Sequence, residues 1–355
     1  MKRKFNAISL LTLIILLLTT ESMSAQVKVT SQMDVILNQN WEMPTLLNPA
    51  ATGATDFIRI RGGARIDYLG SHQSPKNFLA AADSPFKLLG KRIGAGLVVN
   101  SGSYGVYNNL LIGAQGSYKI KIKQSTLSIG VQLGYYHTKF KGSEFVIYNK
   151  GEGNDSGESS EGEGGDSPGS GDEDEPDYSD YPTEDVGAGS VDLAVGVRFD
   201  HPAFYAGVSV THLTNPTLKL SKEGEVATAT RYMESHLPME MYFETGGNIR
   251  LNNSLFTLQP SLLVATDFKD FNGVAVMRGT YNQKVTFGAS YRYNRAAGVL
   301  AGLKIKDFYI GYSWEYDYKN QPKGSTGNHE LVIGYQLKMK MDSKSNFRQR
   351  SIRIM

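Results

Sequence analysis

The chain has 355 residues, with 37 Lys and Arg against 35 Asp and Glu, and no Cys. The missing Cys excludes disulfides, thiol catalysis, thiolate metal sites and a lipid-anchor cysteine. The balance hides an asymmetry: residues 151–186 hold 14 acids and no Lys or Arg, so the remainder is a basic body.

Residues 1–25 read as a secretory signal peptide. Met1-Lys2-Arg3-Lys4 is a charged n-region, Ile8 to Leu18 an apolar core, and Ser22-Met23-Ser24-Ala25 a small-residue exit. Cleavage is expected after Ala25. Beyond it no apolar window reaches the ~18 residues of a helical span, so helical membrane spans are excluded.

Residues 26–56 follow as a plug or hatch. Gln32–Gly53 is neither a good strand nor a good helix, because Pro44 and Pro49 interrupt it and Asn48-Pro49 and Thr52-Gly53 are turn dipeptides. It still carries Val35, Ile36, Leu37, Trp41, Met43, Leu46 and Leu47. That much apolar surface needs burial, and the lumen of a wide barrel is the natural place. Trp41, Leu46, Asn48, Pro49 and Gly53 are the candidate plug and partner contacts.

Residues 57–339 alternate with period two, the mark of strands with two different faces. Leu127, Ile129, Val131, Leu133 and Tyr135 share one face; Ser128, Gly130, Gln132, Gly134 and Tyr136 share the other. The same pattern recurs at 191–199, 284–293, 308–317 and 330–339. Strands are expected at 57–66, 77–84, 92–100, 107–120, 125–138, 189–200, 203–212, 238–250, 254–267, 272–282, 284–294, 297–305, 307–318 and 328–339. Periodicity is poorest at 77–84 and 272–282. A soluble β-sandwich also alternates. A transmembrane barrel is favoured because the apolar faces run five positions deep, close to the ~9–11 residues of a tilted bilayer crossing. They also end in aromatics (Tyr135, Phe199, Tyr291, Tyr293, Trp314, Tyr316), as an interfacial girdle requires. The fold class is all-β: a 14-stranded antiparallel transmembrane β-barrel with both termini in the periplasm, in the cell outer membrane.

Within it, Arg59, Arg61 and Arg65 fall on the polar face and should point into the lumen. Pairing with lumen acids such as Asp192, Glu240, Glu244, Glu315 or Glu330 is favoured over an open, anion-selective pore. Residues 151–186 lack large apolar side chains and are expected as a disordered acidic extracellular loop. Residues 340–355 form a basic periplasmic tail.

No catalytic constellation emerges. Gly165-Asp166-Ser167-Pro168-Gly169 matches a nucleophile pattern but lies in the acidic loop, not between a strand and a helix. The run Asp172-Glu173-Asp174-Glu175 lacks the spaced ligands of a Ca²⁺ loop. The six His stand without metal-ligand spacing, and no phosphate or dinucleotide fingerprint occurs. Catalytic, cofactor and metal residues are therefore none, and an enzyme is not expected.

Taken together, several motifs resemble a family. Leu47-Asn48-Pro49-Ala50-Ala51-Thr52-Gly53 after Asn38–Pro44 resembles the opening of PorP/SprF type IX secretion system membrane proteins. Further matches are Ala81–Phe86, Ile93–Leu97, Tyr205–Leu213, Gln259–Leu263, Gly288–Arg292, Gly311–Tyr316 and Asn328–Leu331 with Ile333–Tyr335. Two departures stand out: Arg65-Ile66-Asp67 replaces a common Arg-Gln-Trp, and the acidic insert is not a general family feature. The resemblance implies a non-enzymatic barrel in the type IX secretion and gliding motility machinery of Bacteroidetes, without cofactor. It implies as partners periplasmic and outer-membrane components of that system and the C-terminal domains of secreted adhesins. LNPA also resembles the N-terminal hatch of FadL-type channels for hydrophobic small molecules, the alternative reading.

Overall fold

The computed structural model describes residues 34–71, 74–144, 184–220, 233–251 and 255–339. The expectations for the signal peptide, most of the acidic insert and the basic tail fall outside these residues.

The strands are β1 Phe57–Ile66, β2 Lys76–Leu88, β3 Lys91–Tyr104, β4 Tyr107–Ile122, β5 Ser125–Lys141, β6 Asp185–Asp200, β7 Phe204–Thr211, β8 Thr217–Leu220, β9 Met233–His236, β10 Glu240–Gly247, β11 Ile249–Arg250, β12 Phe256–Thr266, β13 Phe271–Tyr281, β14 Val285–Arg292, β15 Ala296–Ile305, β16 Phe308–Asp317 and β17 Asn328–Lys338. β10 and β11 both pair with β12 and are one strand interrupted at Asn248. β1 pairs antiparallel with β2 on one side and β17 on the other, which closes the sheet. Among the described residues the result is a closed 14-stranded antiparallel barrel without an α-helix. Closure leaves no sheet edge, so every strand satisfies its backbone groups in a bilayer.

The pleat sorts side chains as the alternation requires. On β5, Ile129, Val131, Leu133 and Tyr135 are exposed outward, while Ser128, Gln132 and Tyr136 are buried inward. On β16, Phe308, Ile310, Tyr312, Trp314 and Tyr316 face out, against inward Tyr309, Ser313, Glu315 and Asp317. The outward set forms the apolar belt a bilayer needs.

The ring's two ends differ. Tight turns at one end include Leu89-Gly90 and Asn282-Gln283, where consecutive positive φ angles match the twist of two-residue hairpins. The longest connections, after β1, β5, β7 and β16, lie at the other end, together with the short turns after β3 and β14. Two differ from expectation. First, β6 begins at Asp185, inside the segment expected to be disordered. Phe140↔Val186 and Lys141↔Asp185 extend the ladder, because Phe140 and Val186 bury themselves against Leu220. Second, the connection after β7 is not plain loop: β8 and β9 form a separate hairpin. It places Leu218 and Leu237 against Leu111 and Tyr136.

Candidate functional site

The chain's most unusual local sequence builds its most unusual structure. Residues 34–56 form three 3₁₀ turns, Asn40–Glu42, Pro44–Leu46 and Pro49–Ala51. Pro44 and Pro49 each open a turn, where a missing N–H costs nothing. The Asn48 carboxamide accepts from Ala50 N–H at 2.9 Å and caps the third turn. Such turns leave many main-chain groups unbonded within the segment, and these reach side chains on the inner face of the barrel.

The contacts run from one end of the ring to the other. Near the long-loop end, Asp34 N–H donates to Glu240 at 3.0 Å, and the Asp34 carboxylate meets His212 Nε2 at 3.2 Å. His212 Nδ1 lies 3.0 Å from Asp192, so one imidazole bridges the segment and β6. Next, the Glu330 carboxylate accepts from the N–H groups of Asn38 and Gln39 at 2.7 and 2.9 Å. Arg292 donates to Ile36 O at 3.1 Å. Midway, Gln115 donates to Thr45 O at 2.6 Å and Ser209 to Leu47 O at 2.6 Å. Toward the tight-turn end, Lys119 donates to Ala50 O at 3.3 Å, Arg59 to Ala51 O at 3.2 Å and Ser117 to Thr52 O at 2.7 Å. Gly53 N–H donates to Asp83 at 2.8 Å.

The backbone lies so close to the wall that side chains would not fit between them. A Cβ on Gly94 would stand 2.1 Å from Thr52 O, and one on Gly130 2.3 Å from Ala50 N. Gly53 itself has φ +60° and rests on Gly94, a conformation and an approach that both need glycine.

Apolar side chains fix the rest. Ile36, Trp41 and Leu47 pack on Tyr242, Leu263, Ala265, Val274, Val276 and Leu300. Leu37 and Met43 pack on Leu79, Ala81, Val98, Tyr309 and Val332. Leu46 touches both groups. The ring of Trp41 also lies under the Arg278 guanidinium, 4.0 Å from carbon to centroid.

The inward arginines are paired, partly with acids other than those expected. Arg59 bonds Asp83 at 3.0 Å, its cross-strand neighbour on β2. Arg61 bonds Glu42 of the segment at 3.1 Å. Arg65 bonds Asp67 and Glu315 at 2.8 Å each and lies 3.6 Å from Glu330. Glu244, by contrast, pairs with Arg198 at 2.7 Å. Asn48 joins this set, donating to Glu244 at 3.0 Å. Trp41, Leu46, Asn48, Pro49 and Gly53 thus all lie in the one contact zone, with Arg59, Arg61, Arg65, Glu315 and Glu330 around them.

Sequence reasoning missed the apolar patches of the inner wall. The signal was present, because β2 and β13 were the strands with poor periodicity. Leu79 and Ala81 face in while Phe78 faces out; Val274 and Val276 face in while Met277 faces out. Both faces are apolar there, so alternation disappears. Among the described residues no group of three or more His, Cys, Asp and Glu has a geometry that could hold a metal.

The family described as "Type IX secretion system membrane protein PorP/SprF" matches residues 29–335, nearly the whole span of segment and barrel. The chain belongs to the PorP/SprF family. This PorP/SprF protein is an outer-membrane β-barrel. No curated protein matches it. Similar solved structures include a Pseudomonas aeruginosa FadL homologue, at 12% identity and TM-score 0.46, covering 82% of this chain and 92% of that one. The P. putida toluene transporter TodX is 13% identical with TM-score 0.45, covering 84% and 94%. The CymD monoaromatic hydrocarbon channel is 8% identical with TM-score 0.46, covering 86% and 93%. The likeness is one of barrel architecture.

Proposed function

We propose that this PorP/SprF protein is a non-enzymatic outer-membrane component of the type IX secretion and gliding machinery, with its pore closed by residues 34–56. Family membership supports the system, and the observation that carries the closure is the contact set above. Wall side chains from β1 through β17 bond the segment's main chain along the height of the ring. A barrel so filled passes no cargo while the segment stays in place. Its role is then attachment or handover, with the long loops serving surface adhesins and their C-terminal domains and the tight turns serving periplasmic partners. Deletion of the gene tests this. Type IX cargo should accumulate unprocessed inside the cell, and normal display of surface adhesins in the deletant would refute the role. Affinity capture from detergent-solubilised membranes should then recover type IX components.

One observation favours a second reading, a channel for hydrophobic small molecules. The inner wall carries an apolar patch at Leu263, Val274, Val276 and Leu300, covered by Trp41 and Leu47. Displacing the segment would open a greasy surface inside the pore. Uptake of a monoaromatic hydrocarbon by vesicles holding the protein, lost on Val276→Asp, would support the channel.

A further inference from the structure

The wall reads the segment mainly through its main chain. Gln115, Ser209, Lys119, Arg59 and Ser117 each donate to a carbonyl oxygen between Thr45 and Thr52. These donors belong to three strands, β1, β4 and β7, and none of the five needs a particular side chain from its partner. The glycine track at Gly94 and Gly130 admits bare backbone and nothing wider. Side-chain contacts come from apolar positions such as Trp41, Met43 and Leu47 and from the polar side chains of Asp34, Gln39, Glu42, Asn48 and Thr52.

The fit is also incomplete. Both amide atoms of Asn38, Nε2 of Gln39 and the Trp41 indole N–H are buried without a hydrogen-bond partner, as is Arg278 Nη1 on the wall beside Trp41. Buried unpaired groups weaken a bound state. The segment is joined to β1 only through Ala54–Asp56 at the tight-turn end, and no disulfide holds it.

From these observations we infer that the inner wall is a polypeptide-binding site, able to take a proline-turned segment supplied in trans in place of residues 34–53. The ligand class is a peptide whose main chain turns at an Asn-Pro step and which carries large apolar side chains on both sides of that turn. Donors preset on rigid strands make such recognition tolerant of sequence, as in other modes that bind peptides by their main chain.

The inference rests on the proposal that residues 34–56 close the pore, and the two fail separately. The full chain is prepared with a protease site inserted between Thr55 and Asp56, purified folded, and nicked. Closure predicts that conductance in planar bilayers rises once the freed segment is washed out; a washed barrel that stays non-conducting refutes closure. The binding site predicts that a labelled synthetic peptide of residues 34–55 is then taken up saturably and lowers the conductance again. A photo-cross-linker at the Thr45 position should map to β4 near Gln115. Gly130→Leu, checked for folding by heat-modifiable migration, should abolish uptake. An open barrel that takes up no peptide, or uptake that cross-links only outside the ring, overturns the site. So does equal uptake by folded wild type and Gly130→Leu.

Discussion

Arg61 on β1 donates through Nε to the Glu42 carboxylate at 3.1 Å, with both side chains almost wholly buried. The pair ties the N-terminal segment to the wall between two apolar clusters. Removing one partner strands the other charge out of water, a loss of about 3–5 kcal/mol. Arg61→Leu should therefore expose residues 34–56 to protease in the folded barrel. The double variant Glu42→Gln/Arg61→Leu should be less accessible than Arg61→Leu, because no bare charge remains. Equal accessibility of single and double variants would show that the pair is not coupled.

The glycine track predicts a steric test without charge. Gly130→Val places a Cβ where Ala50 N and the Pro49 carbonyl carbon now lie, both 2.3 Å away. The obstacle is main chain on both sides and cannot rotate away. The variant barrel should fold, since β5 keeps its ladder, but conduct more than wild type. Gly116→Ala on β4, whose Cβ would meet nothing within 4 Å, should conduct as wild type does.

The outer belt predicts an opposite response from neighbouring positions. Leu133 stands near the centre of β5 and faces outward, 60% exposed, while Gln132 is 5% exposed on the inner side. Leu133→Arg should cost about 2–4 kcal/mol if the residue faces lipid near mid-bilayer. The loss is measured as a lower urea midpoint for heat-modifiable migration. Val131→Leu on the same face should shift that midpoint little.

Tyr68 lies in the connection after β1, outside the strands. Its hydroxyl donates to Asp317 at 2.8 Å and accepts from Arg295 at 3.2 Å. Burial pushes its phenol above the usual tyrosine range; the Asp317 bond adds to this and Arg295 opposes it. A neutral phenol is therefore favoured in the folded loop. Its contribution is fully present below the ordinary value of about 10 and is lost as pH rises through the higher folded value. Hydrogen exchange by mass spectrometry across residues 67–71 should rise beyond the intrinsic alkaline acceleration, and Tyr68→Phe should remove that excess.

Period-two alternation was enough to place the strands of the ring, because one face must meet lipid and the other must not. β1 falls at Phe57–Ile66 and β16 at Phe308–Asp317, within a residue of the spans read from pattern. The same rule fails where both faces are apolar, so the roles of Leu79, Val98, Val274 and Val276 were hidden until their covering residues were in view. Partner choice was hidden too. Arg59 selects Asp83 through cross-strand register, a relation set by how β1 pairs with the next strand, β2. Arg61 selects Glu42 because the segment passes beside it, and no spacing in the sequence encodes that meeting. The local chemistry of Gln32–Gly53, its prolines and its unplaced apolar side chains, determined that the segment must be buried and turned. Only the tertiary structure decided against what: main-chain groups that three short turns leave open find donors and acceptors that the closed barrel alone brings into one space.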